Sequence, residues 1–486
     1  MKNVKKIMAI LLSAVMAFGA AGCGSDAPVS GNLGTAAETT DASAQNEESI
    51  AEAAENEESV DEAAANEGSA SVRGDAAAEN AFVIWAWNDD FITLQNLLIE
   101  DHPELKDRIV FVNAGGSEMY QDKLDEVLAD ESNELYPDIM LLEVDYVQKY
   151  VESDVLLDVS KLGIKPDDLS NMYEYNVQLG SDDSGTVKAL FWQATPGSFQ
   201  VRADLAQKYL GTTDADELYE KYFSSYDKIL ETAEMVYEAS AGKTRLFSGY
   251  SELYRVFTNS SRKTGWYDNN DFICVDESMY EYMDIAKTMY EKNLSFNSSQ
   301  WDSTWYANMD GDGETTEAAI AYCGCPWFTY FCLGEVWTGN TILVKTPVEF
   351  YWGGTGLAAT KGCSDKELAA LILKSCTCDT DFMIRVNHEN GDYMNNKAVI
   401  EYLLSTEEEK NESNSEMMYG QQHLIEFYKD SADSINASTV TDIDQQVFDL
   451  FGAQVDAYAM GKKDKDTAIA DFKASVHDTF AYLKAE

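Results

Sequence analysis

The 486-residue chain is poor in histidine and lacks several motifs on which enzymes depend. It has four histidines, and it contains no Gly-x-Ser-x-Gly elbow, no His-Glu-x-x-His pair, no P-loop and no Gly-x-Gly-x-x-Gly fingerprint. Each missing motif removes the signal for one chemistry: serine hydrolysis, zinc-dependent hydrolysis, nucleoside triphosphate binding and dinucleotide binding. We therefore expect a protein without catalytic residues and without a cofactor.

Basic residues are also scarce. The chain has 35 Lys and Arg residues against 86 Asp and Glu residues, which gives a formal net charge of −51 at pH 7. A surface this acidic repels the phosphates of nucleic acids and the anionic headgroups of membranes. The composition therefore predicts that nucleic acid is not a partner and argues against direct binding to a membrane surface.

Long apolar runs are missing except at the amino terminus. Three lysines within the first six residues precede an apolar run from residue 7 to 18, which is too short to span a bilayer comfortably and is typical of a secretion signal. The segment Gly19-Ala20-Ala21-Gly22-Cys23 resembles the lipobox of bacterial lipoproteins. We expect residues 1–23 to be a lipoprotein signal peptide that ends at the lipidated, palmitate-bearing Cys23. The chain would then be anchored to the outer face of the cell membrane by this lipid only.

Large apolar side chains are nearly absent between residues 24 and 80. This stretch consists mostly of Ala, Glu, Asn, Ser and Asp, and it cannot bury enough apolar surface to offset the entropy of ordering. We predict that residues 24–80 form a disordered acidic tether, with transient helices as the alternative because Ala and Glu favour helix. Such a tether lets a folded part move near the membrane without leaving it.

The cysteines are few and unevenly spaced. Besides Cys23 there are seven, so at least one is unpaired or bonded to another molecule. Two Cys-x-Cys pairs, at residues 323 and 325 and at residues 376 and 378, lack the Cys-x-x-Cys spacing of zinc ribbons, so we predict no metal site there. The segment 308–313 begins like a calcium-binding EF-hand loop, but its twelfth position is Ala319 instead of a bidentate Glu. Calcium binding stays an open alternative to a polar surface loop.

After residue 81 the sequence does contain an alternation of short apolar runs and helical periods. Residues 82–87 are almost entirely apolar, as in a strand buried on both faces. A helix at 91–99, a strand at 108–113, a helix at 119–128 and a strand at 138–142 complete a βαβαβ order, which predicts an α/β fold. The loops that follow parallel strands meet at one edge of the sheet, where ligands bind in such folds.

Five stretches, in order along the chain, make the sequence similar to a known family. They are Trp85-Ala86-Trp87-Asn88; Tyr120-Gln121-Asp122-Lys123-Leu124; Tyr136-Pro137-Asp138-Ile139 leading to Glu143 and Asp145; Tyr351-Trp352-Gly353-Gly354-Thr355; and Phe472-Lys473 with Val476. With them the chain resembles the extracellular solute-binding proteins of family 1, the maltose-binding-protein-like receptors of carbohydrate ABC importers. The resemblance implies a two-lobed type II periplasmic-binding-protein fold, with strands that cross between the lobes and a ligand cleft. One lobe would comprise residues 82–195 and 343–395, and the other residues 196–342 and 396–486.

Both kinds of group that hold a sugar occur at loop positions. A pyranose presents an apolar C–H face to aromatic rings and a belt of hydroxyls to carboxylates and amides. The loop after the first strand supplies a ring and polar groups together, and the resemblance nominates Asp145, with Glu143 beside it, as the acid that reaches sugar hydroxyls. The segment Cys325-Pro326-Trp327-Phe328 resembles the family's glycine–proline–tryptophan turn, with cysteine in place of glycine.

We predict one ligand site from these positions. Core packing remains the alternative for the aromatic residues, and helix capping remains the alternative for Asp145. The predicted ligand-binding residues are Trp87, Asn88, Asp89, Ser117, Glu143, Asp145, Trp192, Gln193, Tyr250, Trp327, Phe328, Tyr351, Trp352, Gly353 and Tyr393.

The expected function follows from the resemblance and from the secretion signal. The chain would bind a sugar or short oligosaccharide as a monomer and hand it to the permease subunits of an ABC transporter. A secreted glycoside hydrolase, which also combines aromatic rings with paired carboxylates, is one alternative. A receptor for a non-sugar solute such as a peptide or polyamine is the other.

Overall fold

The computed structural model describes residues 70–412, 417–420 and 422–485, except for the side chains of residues 117, 118, 260, 261, 411 and 412. The predicted signal peptide, the lipidated Cys23, most of the predicted tether and the side chain of Ser117 lie outside the described residues. Among the described helices, none combines the length and the apolarity that a membrane span needs.

Short strands alternate with longer helices along the described chain. The strands, in chain order, are β1 (Ser71–Arg73), β2 (Phe82–Ala86), β3 (Ile109–Asn113), β4 (Ile139–Glu143), β5 (Leu190–Phe191), β6 (Ser198–Arg202), β7 (Thr244–Arg245), β8 (Ala318–Ala319), β9 (Ala321–Gly324), β10 (Thr341–Val344) and β11 (Thr355–Ala359). The α-helices are α1 (Phe91–Asp101), α2 (Ser117–Leu128), α3 (Val147–Val151), α4 (Glu174–Leu179), α5 (Ala203–Tyr209), α6 (Ala215–Leu218), α7 (Tyr226–Ala239), α8 (Tyr254–Val256), α9 (Glu277–Glu291), α10 (Ser303–Asp310), α11 (Pro326–Phe331), α12 (Lys366–Thr377), α13 (Thr380–Asn390), α14 (Lys397–Leu403), α15 (Glu407–Glu412), α16 (Leu424–Ala432), α17 (Asp444–Ala459) and α18 (Lys465–Thr479).

The first sheet contains the βαβαβ unit that the sequence predicts. Strands β2, β3 and β4 run parallel, with Phe82 opposite Ile109 and Ile84 opposite Ile139. Every residue of β2 and β3 is buried, as expected of parallel strands covered on both faces. The strand order is β1-β3-β2-β4-β11-β5, and this open, mixed sheet confirms the predicted α/β class.

Strand β1 lies inside the range that the sequence assigns to a tether. Residues Ser71–Arg73 pair antiparallel with β3, so the chain joins the sheet before residue 80. An edge strand needs only backbone hydrogen bonds on one side, and two of the three residues are exposed. The apolar signal on which the sequence boundary depends is therefore absent from this strand.

The second lobe is built on a smaller sheet and more helix. Strands β10, β6 and β9 form an antiparallel sheet in that order, and Phe199 of β6 lies opposite Val344 of β10. The buried apolar residues of the described chain form two separate cores, one around the six-stranded sheet and one around this sheet. The two cores confirm the predicted two-lobed architecture.

Two extended segments connect the lobes side by side. One runs from β5 to β6 and the other from β10 to β11. The Gly197 N–H donates to the Phe350 carbonyl at 2.7 Å, and the Trp352 N–H donates to the Thr195 carbonyl at 3.1 Å. Because successive residues of an extended chain point in opposite directions, Tyr351 packs in the first core and Trp352 in the second.

The chain crosses between the lobes a third time near residue 440. Ala437 belongs to the first core and Ile443 to the second. Helices α14 and α16 pack on the first core through Ile400 and Tyr428, although the sequence assigned residues 396–486 to the second lobe. Helical periodicity shows which face of a helix is buried but not which lobe covers it, so the sequence placed this boundary too early in the chain.

Candidate functional site

A cavity of about 380 Å³ lies between the two cores. Its walls include Val144 and Tyr351, which belong to the first core, and Trp266, which belongs to the second. The other lining residues are Asp145, Arg255, Thr258, Asn259, Val440, Asp444, Gln445, Phe448 and Asp449. The cavity is therefore part of the cleft between the lobes, and it is lined mainly by polar and aromatic side chains.

The carboxyl end of β4 brings two acidic side chains to this cleft. Antiparallel pairing of β4 with β11 sets Thr355 opposite Glu143, so the loop that precedes β11 lies beside Asp145. The Val144 N–H donates to the Gly354 carbonyl at 3.1 Å. The Asp145 N–H donates to a carboxylate oxygen of Glu143 at 2.7 Å. These bonds fix both predicted acids at the carboxyl edge of the sheet, where ligands bind in open α/β folds.

Arg255 reaches Asp145 from the other lobe. Its Nη1 lies 2.5 Å from Oδ1 of Asp145, and its guanidinium carbon lies 5.4 Å from the centre of the Trp352 ring and 4.8 Å from that of Phe448. Only 12 % of the Arg255 side chain is exposed, and its Nε is buried without a hydrogen-bond partner among the described residues. The cleft wall thus contains a buried cation with an unused N–H donor.

Two acids of the cleft, Glu143 and Asp449, have pKa values above those of the same groups in water. Burial, followed by the nearby charge of Asp145, raises the pKa of Glu143 well above its usual range, and Arg255 offsets part of this effect. Burial also raises the pKa of Asp449, again with Arg255 opposing it. A protonated carboxyl donates one hydrogen bond and still accepts others. Such a group suits a ligand hydroxyl, which also donates and accepts.

Two other polar residues that line the cavity, Asp444 and Asn259, have partners of their own. Arg262, whose side chain is 1 % exposed, pairs with Asp444 at the start of α17. The Asn259 side-chain amide donates to the Tyr351 carbonyl at 3.0 Å. Sequence reasoning missed these groups together with Arg255 and Asp449. The sequence contains a weak signal for Arg255 alone, because a basic residue within the apolar segment 253–257 is unusual in a strongly acidic chain.

Two predicted tryptophans meet beside the cleft in the second lobe. The Trp327 Nε1–H donates to the Trp352 carbonyl at 3.0 Å, and the ring centres are 5.2 Å apart. Gly353 has a φ of 68°, and a β-carbon added there would lie 3.1 Å from Trp327 Nε1 and 3.3 Å from Oε1 of Glu143. Glycine is therefore required for this close approach. The structure brings Trp327, Trp352, Gly353 and Glu143 together, and their contact with a ligand stays a prediction.

The first predicted loop lies in the first lobe but does not line the described cavity. Trp87 is partly buried, and its ring centre is 6.2 Å from that of Tyr146, the residue after Asp145. The Asn88 amide donates to Asp90 at 2.6 Å, and Asp89 forms an ion pair with the arginine of β1. Ligand contact by this loop stays a prediction.

Three other predicted residues pack in the first core. The Trp192 Nε1–H and the Gln193 amide donate to the two carboxylate oxygens of Asp392, at 3.1 and 2.9 Å. The Tyr393 hydroxyl lies 2.9 Å from that of Tyr173. Each of these polar groups thus has a structural partner inside the lobe.

The remaining predicted aromatic residues divide between core and cleft. The Tyr250 hydroxyl donates to Asp456 at 2.6 Å, and Phe328 is fully buried in the second core. Tyr351 stacks on Tyr175 with ring centres 5.5 Å apart, and it also lines the cavity. Of these three side chains, only that of Tyr351 is placed to meet a ligand in the described cavity.

The cysteines form no disulfides among the described residues, and the EF-hand-like loop is held by its own hydrogen bonds. The seven cysteines between residues 274 and 378 are free thiols, five of them buried. The Asp312 carboxylate accepts backbone N–H bonds from Glu314, Thr315 and Thr316 at 2.8 to 2.9 Å, so it closes a tight turn. Among the described residues, no group of three or more His, Cys, Asp or Glu side chains is arranged to hold a metal ion.

Two α/β lobes, three connecting crossings and a polar cleft between the lobes define the two-lobed periplasmic-binding-protein fold. The resemblance in fold inferred from the sequence is confirmed by solved structures. A crystal structure of an extracellular solute-binding protein of family 1 superposes with a TM-score of 0.70 at 17% sequence identity, over 82% of this chain and 100% of that one.

Two sugar complexes are also similar to this chain. The ABC transporter associated binding protein from B. animalis subsp. lactis Bl-04, in complex with beta-1,6-galactobiose, has a TM-score of 0.63 at 17% identity and covers 83% of this chain and 98% of that one. The galacto-N-biose-/lacto-N-biose I-binding protein from Bifidobacterium longum, in complex with lacto-N-biose, has a TM-score of 0.61 at 13% identity, with 83% and 98% covered. At these identities the likeness concerns the fold. No family model and no curated protein sequence matches the chain.

Proposed function

We propose that the protein is an extracytoplasmic, lipid-anchored receptor that binds a sugar or short oligosaccharide between its lobes and delivers it to an ABC importer. The observation that carries the proposal is the cleft itself, where Asp145 of the first lobe and Arg255 of the second meet at the wall of one cavity. A ligand bound there would touch both lobes, and it would favour the closed arrangement of the two.

The groups around the cavity suit a neutral, hydroxyl-rich ligand. Burial raises the pKa of Glu143, which lies beside the lining residue Asp145, and a carboxyl group in its protonated form both donates and accepts hydrogen bonds. The aromatic residues Tyr351, Trp266 and Phe448 line the same cavity, and a pyranose has an apolar face that packs against aromatic side chains. The combination of few directed polar groups with aromatic walls is typical of small-ligand sites.

Delivery and anchoring rest on other observations. The apolar run after the basic amino terminus and the Cys23 segment support secretion followed by lipid attachment. The B. animalis protein of similar fold is described as associated with an ABC transporter. The permease would recognise the closed form of this chain, and no covalent chemistry is required.

A cationic solute is a second candidate, because the acids of the cleft outnumber its bases. Four carboxylates, those of Glu143, Asp145, Asp444 and Asp449, surround two guanidinium groups. If all four were ionised, a polyamine would neutralise the excess charge. Burial raises the pKa of Glu143 well above its usual range and so opposes this excess of negative charge, which favours the neutral ligand.

A thermal-shift and calorimetric screen tests the proposal. The probes are mono-, di- and trisaccharides, with spermidine and short peptides as the competing class. A ligand at 100 times its Kd stabilises the folded state by about 2.7 kcal/mol, which corresponds to a Tm increase of about 3 °C for a folded part of this size. Asp449→Asn should reduce the response to saccharides, whereas Asp466→Asn, an exposed residue of α18, should not.

The outcomes separate the candidates. A response to spermidine that weakens with salt, with none to any saccharide, would replace the sugar by a cation. Shortened saccharides recovered after incubation would favour a glycoside hydrolase. Saccharide binding that is equal in the protein and in the Asp449→Asn variant would place the ligand elsewhere.

A further inference from the structure

Trp301 is an exposed indole in an unusual backbone conformation. Its side chain lies among the few large apolar side chains that the described surface exposes, and 45 % of the residue is accessible. Its φ is +72°, a region that bulky side chains rarely adopt because of the strain. Because the ring is exposed, its burial does not offset this backbone strain, and another interaction must account for a tryptophan at this position.

The start of α10 accounts for part of this placement. Asp302 caps the helix, since its carboxylate accepts the Trp305 N–H at 2.7 Å and the Ser299 N–H at 2.9 Å. The residue before a cap often packs on the fourth residue of the helix, and the Trp301 ring is indeed 6.5 Å from that of Tyr306. Any large aliphatic side chain would make this contact. The exposed indole itself is therefore not explained by helix capping.

Trp301 also continues the aromatic wall of the cleft. Its ring centre is 5.9 Å from that of Trp352 and 6.4 Å from that of Trp327, to which it is nearly parallel at 10°. The Arg255 guanidinium lies over the same Trp352 ring and lines the cavity. A single indole thus separates Trp301 from the cavity wall.

The wall extends outward beyond these rings. Phe331 is 55 % exposed and lies 6.2 Å from Trp327, measured between ring centres. The accessible rings of this cluster are those of Trp301, Phe331 and the partly buried Trp327, whereas Trp352 is 3 % exposed and lies between them and the cavity wall. Successive sugar units of an oligosaccharide each present an apolar face, so several neighbouring accessible rings fit a chain of units better than one unit.

We infer that Trp301, next to Trp327, forms a second saccharide position outside the cavity, so that the receptor takes an oligosaccharide of at least two units in preference to a single sugar. This inference rests on the proposed function, because the first unit must occupy the cavity. Trp301 binds the second unit and so selects for ligand length, whereas the polar groups of the cavity bind the first unit.

Calorimetry with paired ligands and one conservative variant tests the inference. The probes are glucose, galactose and mannose, each with its α- and β-linked di- and trisaccharides. Trp301→Leu keeps an apolar side chain against Tyr306 and removes the indole. We expect about a tenfold loss of affinity for the oligosaccharide, equivalent to 1.4 kcal/mol, and less than about a twofold change for the monosaccharide. Phe272→Leu removes an exposed ring beside Lys484 in the same lobe and should change neither affinity.

Four results would overturn the inference, and they are distinguishable. Equal losses for monosaccharide and oligosaccharide in Trp301→Leu would assign the residue to the shape of the lobe. Unchanged affinity for both ligands, or a protein that binds only monosaccharides, would remove the second position while leaving the proposed function intact. Absence of binding to every saccharide in the protein itself would refute the proposed function and the second position together.

Discussion

A buried glutamate in the second lobe should make the stability of the protein depend on pH. Glu252 is fully buried, and its carboxylate oxygens accept the Trp305 indole N–H and the Cys323 backbone N–H. Burial raises the pKa of Glu252 to about 7, although both hydrogen bonds act to lower it. The unfolded chain exposes the same carboxyl to water, where its pKa is about 4.3. The folded state therefore retains a proton that the unfolded state releases.

The sign and size of the effect follow from this difference in pKa. Between about pH 4.5 and pH 7 the folded protein binds more protons at this site than the unfolded chain, so raising the pH favours unfolding. One pKa unit corresponds to about 1.4 kcal/mol, so Glu252 should account for a loss of about 3 kcal/mol from pH 5 to pH 8. Glutamine at this position cannot ionise, so Glu252→Gln should remove this pH-dependent loss. Any other effect of the substitution on the free energy of unfolding is the same at every pH.

Urea unfolding at several pH values measures the effect. Tryptophan emission is a suitable signal because Trp305 contacts the carboxylate directly. The difference in unfolding free energy between the protein and Glu252→Gln should shrink by about 3 kcal/mol from pH 5 to pH 8. Glu389→Gln, at an exposed position, should run parallel to the unchanged protein. Parallel curves for Glu252→Gln as well would refute the reasoning.

Two further substitutions test the framework of the cleft. Asp138→Ala should lower the free energy of unfolding by about 3 kcal/mol. The buried Asp138 carboxylate accepts backbone N–H bonds from β2 at 2.7 Å and from the loop before α12 at 2.6 Å, and the substitution leaves both donors without a partner. Urea denaturation measures the loss, and an equal loss in Asp130→Ala, at an exposed position, would contradict the prediction. Gly353→Ala and Gly339→Ala impose a similar strain of about 1–2 kcal/mol at positive φ, but only the first presses on Trp327, since nothing lies within 4 Å of a β-carbon at Gly339. Gly353→Ala should therefore lower the Tm more and also weaken saccharide binding, and equal Tm values would show that the close approach is unimportant.

The sequence predicts the first lobe well because its strands are buried on both faces. Such strands are continuous apolar runs, which is why β2, β3 and β4 lie within a residue or two of their predicted bounds. The parallel order then fixes which loops share an edge, so the sequence predicts that Glu143 and Asp145 lie at the carboxyl edge of the sheet, where β4 ends. The close approach at Gly353 is likewise visible in the sequence as a glycine pair next to aromatic residues.

Other residues of the site could not be found in this way. Arg255 and Asn259 reach the cavity from one short, irregular helical segment, whereas Asp449 reaches it from α17, far along the chain, and no fixed spacing relates the two elements. Aromatic side chains, in contrast, predicted too many ligand-binding residues, since Trp192 and Phe328 are buried in the cores although they are as aromatic as Trp327. A hydrophobic ring in a sequence does not reveal the side of a strand or helix on which it lies. Only three-dimensional packing decides that.

The side-by-side crossings between the lobes limit how the two halves can move. A single connecting strand would leave twisting, sliding and bending equally available to them. Here two of the three connections are cross-linked by the hydrogen bonds at Gly197 and Trp352, so twisting would shear these bonds whereas bending would leave them in place. Bending about one axis is then the soft degree of freedom, and a substitution that breaks this pairing would change the direction of motion as well as its ease.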